Sequence, residues 1–461
     1  MKIKVPHTYV LLFVIICITA ALTYVIPAGE FQREIDPETD REIVIPGSYE
    51  TVESDPISPF GIFESIHQGM DEVGFIIFFV LIIGGSFKMI RATGTIDATI
   101  GAIVKKAAGK EKLVIPIIMF VFSLAGAVFG MAEELLPFYP IIIALSIALG
   151  FDTITGVAMV LLGAGAGFAG AFMNPFTVGI AQGIAGLPLF SGFAFRLIAY
   201  VVILGIAIVY VYRYADKIKK NPELSVTYEE DKEKQGSFDM DNLPELTSKH
   251  KRVFAVFVVG LLILGYGLIE LGFYIPELAA LFLIIGVASA IVGGIKPNDI
   301  GKEFVSGAQE LVYGALIIGV ARAIMVVMTE GMIIDTVIYG MAMAIEGLPQ
   351  ALSGVGMFVV QTLINLIVPS GSGQAAVSMP IMAPLADILE ITRQTAVLAF
   401  QFGDGFSNVI SPTSGYFMAA IAIGGISWDK WAKWMLPLFA IWTVVGAIFV
   451  AISVMIGYGP F

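Results

Sequence analysis

The sequence has little of what supports disulfide, metal or nucleotide chemistry. Its 461 residues include one cysteine, Cys17, and three histidines. A single cysteine excludes disulfides within the chain and thiolate metal clusters, and the scattered histidines form no metal-binding pair. Gly109-Lys110 is followed by Glu111 instead of the serine or threonine of a P-loop, so the sequence does not predict transport driven by ATP hydrolysis.

Charge is also scarce. Only 14% of the residues are charged and 57% are hydrophobic, whereas soluble domains hold about 25% and about 45–50%. The net charge is −12, from 26 basic and 38 acidic residues, which argues against nucleic acid as a partner. The composition predicts an all-α polytopic membrane protein with roughly ten spans, some of them broken. The first span, Thr8–Pro27, is too long for the core of a signal peptide and is expected to be retained.

Positive charges in short loops predict the orientation in the membrane. Segment 30–60 has two arginines against nine acidic residues and is expected outside. Segments 91–112 and 213–252 are rich in lysine and arginine and are expected inside. This threading makes the N-terminus cytoplasmic and the C-terminus external. The acidic middle of the second segment, 225–241, predicts a mobile linker.

An internal repeat of about 240 residues is indicated by matched positions. Pro140 matches Pro380, and the 165–168 segment matches 403–406, with offsets of 240 and 238. Further matches at similar offsets are Asn174-Pro175 with Ser411-Pro412, Glu72 with Glu310, and Asp97 with Asp335. Because the first unit starts outside and the second inside, the pattern predicts an inverted-topology repeat, typical of secondary transporters.

The repeat sets the predicted organisation of the chain. Its parts are residues 1–57 (first helix and external loop), 58–212 (repeat 1), 213–252 (cytoplasmic linker), 253–296 (connecting helices) and 297–461 (repeat 2).

Each repeat contains two segments that disfavour a continuous helix. Re-entrant hairpins are predicted near 129–140 and 368–380, and unwound transmembrane helices near 163–175 and 403–414, because proline, glycine and polar residues interrupt apolar runs there. For the first glycine run, the alternative is close helix packing through Gly163 and Gly167.

Carboxylates at these breaks carry the main functional prediction. Asp404 is expected near the middle of the membrane, where a carboxylate is costly and usually has a partner or a task. Glu133 and Glu134 add two acids at the first hairpin, of which one is expected to face the ligand. The other could pair with Arg322 or Lys88. The alternative for Asp404 is a local cap on a broken helix.

Neutral polar residues complete the candidate site. They supply hydrogen-bond donors and acceptors around the breaks: Asn174, Thr177, Gln182, Ser370, Ser372, Gln374, Asn408, Ser411 and Thr413. No basic residue lies within the four segments; Arg393 is the nearest and is expected at a helix end. The acidic balance favours a cationic or zwitterionic solute. Na⁺ near Asn174, Asp404 and Asn408, with neutral groups holding an anion, stays open.

At these residues the chain resembles the ion-transporter superfamily and, within it, the YfcC-like basic amino acid antiporters. The segments that carry the resemblance are Val5–Leu11, Ile26–Phe31, Gly130–Glu134, Gly165–Gln182 and Gly403–Gly415. It implies a scaffold domain that dimerises, a transport domain built from both hairpins and both unwound helices, and an elevator movement. The site residues it implies are Glu133, Glu134, Asn174, Asp404, Asn408, Ser411 and Thr413.

The sequence thus predicts a homodimeric secondary transporter of the inner or plasma membrane that is not an enzyme. Exchange of basic amino acids such as arginine and ornithine is favoured, with no cofactor and with Na⁺ or H⁺ coupling left open. The first alternative is a Na⁺- or H⁺-coupled carrier of C4-dicarboxylates or other organic acids on the same fold. A channel or a membrane enzyme is a weaker alternative, because the sequence offers no nucleophile–base or metal constellation.

Overall fold

The computed structural model describes residues 8–36, 41–45, 47–107, 109–235, 245–271, 273, 275–345 and 348–459. Helices dominate the described residues. In the first half they are α1 Thr8–Leu22, α2 Gly61–Glu72, α3 Gly74–Ala92, α4 Thr95–Ala107, α5 Val114–Leu124, α6 Tyr139–Ala148, α7 Thr153–Ala169, α8 Ile180–Ile184, α9 Phe193–Lys220 and α10 Tyr228–Gln235. In the second half they are α11 Ser248–Glu270, α12 Ile275–Val292, α13 Pro297–Glu330, α14 Ile334–Met343, α15 Gln350–Ile367, α16 Gly371–Ile388, α17 Arg393–Ser407, α18 Gly415–Ile423 and α19 Trp428–Met455.

Six stretches of the described residues are helical, long and apolar enough to cross a membrane. They are Gly74–Ala92, Glu111–Phe129, Phe193–Lys220, Ile275–Val292, Pro297–Glu330 and Trp428–Met455. The other apolar helices are shorter, because turns and breaks divide the apolar runs that the sequence presents as spans. The first predicted span is one example, since α1 ends at Leu22 and the chain turns before Pro27.

The described residues are mostly helical, as the sequence predicts, and four short strands follow α1. Strand β1 (Gly29–Glu30) pairs antiparallel with β4 (Glu50–Thr51), and β2 (Arg33–Asp36) pairs with β3 (Arg41–Val44). Asp335, at the start of α14, fixes this segment to the helices. Its Oδ2 lies 2.6 Å from Nη2 of Arg33 and accepts a hydrogen bond from the Phe31 N–H at 3.0 Å.

Ion pairs and hydrogen bonds between helix ends define two ends of the molecule. Lys112, just before α5, pairs with Asp216 near the end of α9, and Lys430 at the start of α19 pairs with Glu230 of α10. We call this end of the molecule the α10 face. At the other end, the Tyr458 hydroxyl donates to the Gly192 carbonyl at 2.7 Å. We call it the Tyr458 face.

The two faces lie on opposite sides of the helical core. Helix α9 connects them, and its 28 residues span about 42 Å at 1.5 Å per residue. Helix α7 begins at the α10 face, where Asp152 accepts a 2.6 Å hydrogen bond from the Tyr214 hydroxyl. Helix α17 begins at the Tyr458 face, where the Thr392 hydroxyl donates to the Tyr458 carbonyl at 2.8 Å. These two helices, which the sequence predicts to be equivalent parts of a repeat, therefore start from opposite faces.

The segment after α9 is folded, which corrects the prediction of a mobile linker for its described part. Helix α10 docks at the start of α7, where the Asp231 carboxylate accepts hydrogen bonds from the Thr153 N–H at 2.9 Å and from the Thr153 hydroxyl at 2.5 Å. Buried carboxylate–donor pairs of this kind hold an acidic helix on the protein despite its polar composition. The rest of the predicted linker, from 236 to 244, lies outside the described residues.

Both predicted unwound segments begin later than expected. Helix α7 continues through the glycine run to Ala169, and the non-helical stretch covers 170–174 before a π turn at Pro175–Gly179. Helix α17 continues through Asp404 to Ser407, and the non-helical stretch before α18 covers 408–414.

The glycines of α7 stay helical because they let α5 approach closely. A Cβ at Gly167 would lie 2.0 Å from the Ser123 carbonyl oxygen, and one at Gly163 would lie 2.8 Å from that of Met119. The packing alternative for this run is therefore the correct one.

Candidate functional site

A cavity of about 770 Å³ lies where the two predicted hairpin tips meet the ends of α7 and α17. Its size is within the range of about 300–1,000 Å³ that small-molecule sites occupy. The lining residues are Val128, Phe129, Gly130, Met131, Ala132, Glu133, Glu134, Ala164, Gly165, Phe168, Pro175, Phe176, Phe273, Pro369, Ser370, Gly371, Ser372, Gly405, Asn408, Val409, Ser414 and Tyr416.

The first side of the cavity is the break between α5 and α6. A π turn ends at Phe129, Gly130 takes a left-handed conformation with φ +67°, and a 3₁₀ segment follows at Glu133–Phe138. Glycine is required at position 130 for two reasons. Residues with a side chain rarely adopt this left-handed conformation, and a Cβ would lie 2.5 Å from Oδ1 of Asn174. The break turns the chain so that both glutamates reach the cavity.

Glu133 and Glu134 carry the charge of this cavity. No other ionisable carboxylate and no lysine, arginine or histidine occurs among the described residues that line it. Oε2 of Glu134 accepts a hydrogen bond from the Ala132 N–H at 2.9 Å, which ties this carboxylate to the break. Glu133 receives no side-chain hydrogen bond from another described residue, so its carboxylate is available to a solute.

The opposite side is the start of α16. Ser370 caps this helix, since its Oγ accepts a hydrogen bond from the Gly373 N–H at 3.3 Å. Ser370, Gly371 and Ser372 line the cavity, so the first N–H groups of an 18-residue helix lie beside it. The N-terminus of a helix carries partial positive charge and favours anionic groups such as carboxylates.

Asp404 lies behind the cavity wall. Its side chain is fully buried, and its Oδ1 accepts a 2.8 Å hydrogen bond from Nδ2 of Asn408, which lines the cavity. Oδ2 has no donor among the described residues. Gly371 separates it from the cavity, because a Cβ at Gly371 would lie 3.2 Å from Oδ2.

Four other predicted site residues are also buried outside the lining. Oδ1 of Asn174 caps the π turn before α8 by accepting from the N–H groups of Phe176 at 2.9 Å and Thr177 at 3.2 Å. Ser411 and Thr413 join their hydroxyls at 2.7 Å within the break after α17.

Five of the ten predicted site residues thus line the cavity, and five do not. Those in the lining are Glu133, Glu134, Ser370, Ser372 and Asn408. Those outside it are Asn174, Thr177, Asp404, Ser411 and Thr413. Gln182 and Gln374 also lie away from the lining: Gln182 accepts from the Phe190 N–H at 2.6 Å, and Gln374 donates to the Gln361 side-chain oxygen at 2.7 Å.

Two polar residues near Asp404 escaped the sequence analysis. Nδ2 of Asn365 donates to the Asp404 carbonyl at 3.2 Å and to the Ser407 hydroxyl at 2.8 Å. Nε2 of Gln401 donates to the Phe168 carbonyl at 2.5 Å. Their side-chain oxygens, like Oδ2 of Asp404, have no donor among the described residues. Each is a polar residue with apolar neighbours on both sides, and this pattern could have indicated a buried polar role from the sequence.

The two cations suggested as partners for the glutamates are engaged elsewhere. Nε of Arg322 lies 2.5 Å from Oε2 of Glu72, and Nζ of Lys88 lies 2.5 Å from Oε1 of Glu310. The prediction that either pairs with a cavity glutamate is therefore wrong.

Two remaining predictions concern the third candidate cation and metals. Arg393 is the first residue of α17, at a helix end as predicted, and its Nη2 lies 2.7 Å from Oδ2 of Asp387. Within the described part of the chain, no three histidine, cysteine, aspartate or glutamate side chains form a group that could hold a metal ion.

A bundle of apolar helices, interrupted around an acidic cavity, has the architecture of a secondary transporter. The sequence comparisons agree. The chain belongs to the C4-dicarboxylate anaerobic carrier family, DcuC, whose model matches residues 5–455. It is accordingly a carrier and not an enzyme, and the resemblance inferred from the sequence is confirmed.

Two relatives match along nearly the whole chain. An Escherichia coli (strain K12) protein with the name "Putative basic amino acid antiporter YfcC" is 35% identical, over 98% of this chain and 97% of that protein. An uncharacterized protein of Haemophilus influenzae is 31% identical, over 97% of each chain.

Two solved transporters align with the chain at low sequence identity. The YdaH transporter of Alcanivorax borkumensis aligns over 99% of this chain and 100% of its own, with a TM-score of 0.45 and 15% identity. MtrF of Neisseria gonorrhoeae, described as one of a class of antimetabolite efflux pumps, aligns over 98% of this chain and 96% of its own, with a TM-score of 0.44 and 18% identity.

Proposed function

We propose that this carrier exchanges basic amino acids, of which arginine and ornithine are the model substrates, by alternating access. The observation that carries the proposal is the charge of the cavity, where two carboxylates and no cationic side chain occur among the described lining residues. A desolvated carboxylate is stabilised by a cation that forms charge-assisted hydrogen bonds with it. The name of the Escherichia coli relative supports the same substrate class.

The two sides of the cavity suit the two ends of such a substrate. In this arrangement Glu133 contacts the side-chain guanidinium or ammonium group. The N–H groups at the start of α16, with Ser370 and Ser372, hold the substrate carboxylate. Asp404 acts from behind the wall, where its Oδ1 accepts from the Asn408 amide and orients that side chain in the cavity lining.

A carrier of C4-dicarboxylates is the second candidate, favoured by the family to which the chain belongs. The start of α16 could hold one carboxylate of such a substrate. Its second carboxylate would meet Glu133 and Glu134 without a cation in the lining, so Na⁺ or H⁺ would have to enter with it. In that case we assign Oδ2 of Asp404, which has no donor among the described residues, as one oxygen ligand of a Na⁺ ion.

The larger organisation is proposed with the function. Residues 58–212 and 297–461 form two inverted repeats, with re-entrant hairpins near 129–140 and 368–380 as parts of a transport domain that moves as an elevator in a homodimer. The opposite starting faces of α7 and α17 support this proposal. The protein is placed in the inner or plasma membrane, with the N-terminus in the cytoplasm and the C-terminus outside.

Exchange in proteoliposomes tests the substrate class. Labelled arginine is offered to vesicles that contain ornithine and to empty vesicles, with and without excess external succinate. The proposal predicts uptake that requires internal ornithine and is insensitive to succinate. Labelled succinate entering under a Na⁺ gradient, with no arginine uptake in the same vesicles, would assign the protein to the second candidate.

A further inference from the structure

A second cavity, of about 680 Å³, runs along the outer side of α9, next to α19, and is separate from the substrate cavity. Residues four apart on α9 form its floor: Val201, Gly205, Val209, Arg213 and Lys217. Residues with this spacing lie on one face of a helix, so the floor is a continuous strip. We call this cavity the α9 groove.

The α9 groove changes from apolar to basic along its length. Val201 and Val209 are 60% and 48% exposed, and Arg213 and Lys217 follow toward the α10 face. From residue 201 to 217 the helix rises about 24 Å. This is close to the depth of one leaflet with its headgroup layer, about 20–22 Å in a bilayer of 40–45 Å.

Gly205 gives the apolar part its depth. A Cβ added at this glycine meets no atom within 4 Å, so the space beside it is open. A saturated acyl chain is flexible and can fill an apolar channel of this kind. Its binding removes the apolar surface of the acyl chain and of the valines from water or disordered lipid.

The basic part has polar groups that the protein leaves unused. Arg213 and Lys217 form no ion pair among the described residues, whereas neighbouring Lys220 lies 2.8 Å from Asp216. Trp434 lines the same end of the groove; it is only 9% exposed, and its indole Nε1–H has no acceptor among the described residues. A buried donor without a partner costs free energy unless a ligand or water accepts from it.

We propose that the α9 groove binds one anionic phospholipid, of the phosphatidylglycerol class, from the leaflet at the α10 face. Arg213, Lys217 and the Trp434 indole bind the phosphate, and one acyl chain lies over Val209, Gly205 and Val201. Basic pockets between helices on the cytoplasmic side are suited to anionic headgroups. The lysine- and arginine-rich loops predict that the α10 face is cytoplasmic, which is where such lipids concentrate.

Native mass spectrometry of the full chain in mild detergent tests the proposal. Phosphatidylglycerol or phosphatidylcholine of the same acyl composition is titrated in, and the retained lipid is counted. The wild type is expected to retain one phosphatidylglycerol and to retain phosphatidylcholine far more weakly. The Arg213→Gln/Lys217→Gln variant loses two charges and should bind phosphatidylglycerol about 30-fold more weakly. The matched control is Lys249→Gln/Lys251→Gln, which removes two exposed charges at the start of α11 and should bind as the wild type does.

A second variant separates the apolar part from the basic part. Gly205→Phe fills the groove while both cations stay, and it should lose retained phosphatidylglycerol with an unchanged unfolding temperature. Equal retention of both lipids by the wild type, or wild-type retention by both groove variants, would overturn the proposal. So would a loss of dimer mass in Gly205→Phe without a loss of lipid, since the groove would then belong to a second copy of the chain.

Discussion

The two neighbouring glutamates of the cavity have different surroundings, and this decides which one we expect a solute to contact. Glu134 accepts a hydrogen bond from the Ala132 N–H, while Glu133 receives no hydrogen bond from another described residue. The sequence could place both acids at the break, because glycine and proline flank them. It could not tell them apart, since the distinction depends on how the chain turns at Gly130.

Substitution of each glutamate tests this assignment. Glu133→Gln removes a free carboxylate, and a hydrogen bond to a charged group contributes about 1.5–3 kcal/mol, so KM for arginine exchange should rise at least about 10-fold. Glu134→Gln keeps an oxygen for the Ala132 N–H and should change KM by only a few-fold. Equal increases in both variants would contradict the assignment.

Asp404 is predicted to be essential through its charge. Asp404→Asn keeps the shape and an acceptor for Asn408 but removes a buried charge that lacks a second partner. We expect arginine exchange to fall at least about 10-fold while the unfolding temperature stays equal or rises. Unimpaired uptake at equal membrane abundance would show that the residue serves only as a local cap.

At the scale of helices, the sequence located the breaks but not their first residues. Asn174-Pro175 and Ser411-Pro412 lie at or beside non-helical backbone, as expected from proline and capping side chains. The glycines before them are helical, because their cost of about 1 kcal/mol in a helix is offset by close contacts that sequence spacing does not reveal. The first run contacts α5, and Gly403 contacts Gln361 of α15. Docking of α10 was missed for a similar reason, since Asp231 bonds to Thr153, 78 residues away.

The close approach of α5 and α7 predicts an uneven response to small substitutions. Gly167→Ala puts a methyl group against the Ser123 carbonyl and should lower the free energy of unfolding by about 1–3 kcal/mol. Gly340→Ala is the matched control, because a Cβ there meets no atom within 4 Å. Thermal unfolding in detergent compares the two, and a loss of stability equal to that of the control would contradict the packing described here.

At the scale of the whole molecule, the charge pattern and the contacts give the same grouping of loops. The lysine-rich loops before α5 and after α9 meet at the α10 face, and the acidic strand segment meets α14. The sequence could predict this grouping, because the number of lysines and arginines in a loop determines on which side of the membrane that loop lies. The sequence could not predict that this segment docks onto Asp335, because strands of two to four residues leave almost no pattern.

The inverted repeat that we propose predicts opposite accessibility for equivalent positions. With Cys17→Ser as background, Lys110→Cys precedes α5 and Gln350→Cys begins α15; both positions are exposed. A membrane-impermeant maleimide added to intact cells should label position 350 and leave position 110 unlabelled until the cells are opened. Labelling of both positions from outside would contradict the inversion.

Equilibrium binding to the purified carrier tests the central claim most directly, since it requires no assumption about coupling. Isothermal titration calorimetry of the wild type with arginine and with succinate, at the same pH and with Na⁺ present, compares the two substrate classes. The acidic cavity predicts saturable arginine binding and no heat from succinate. Saturable succinate binding without arginine binding would contradict the account.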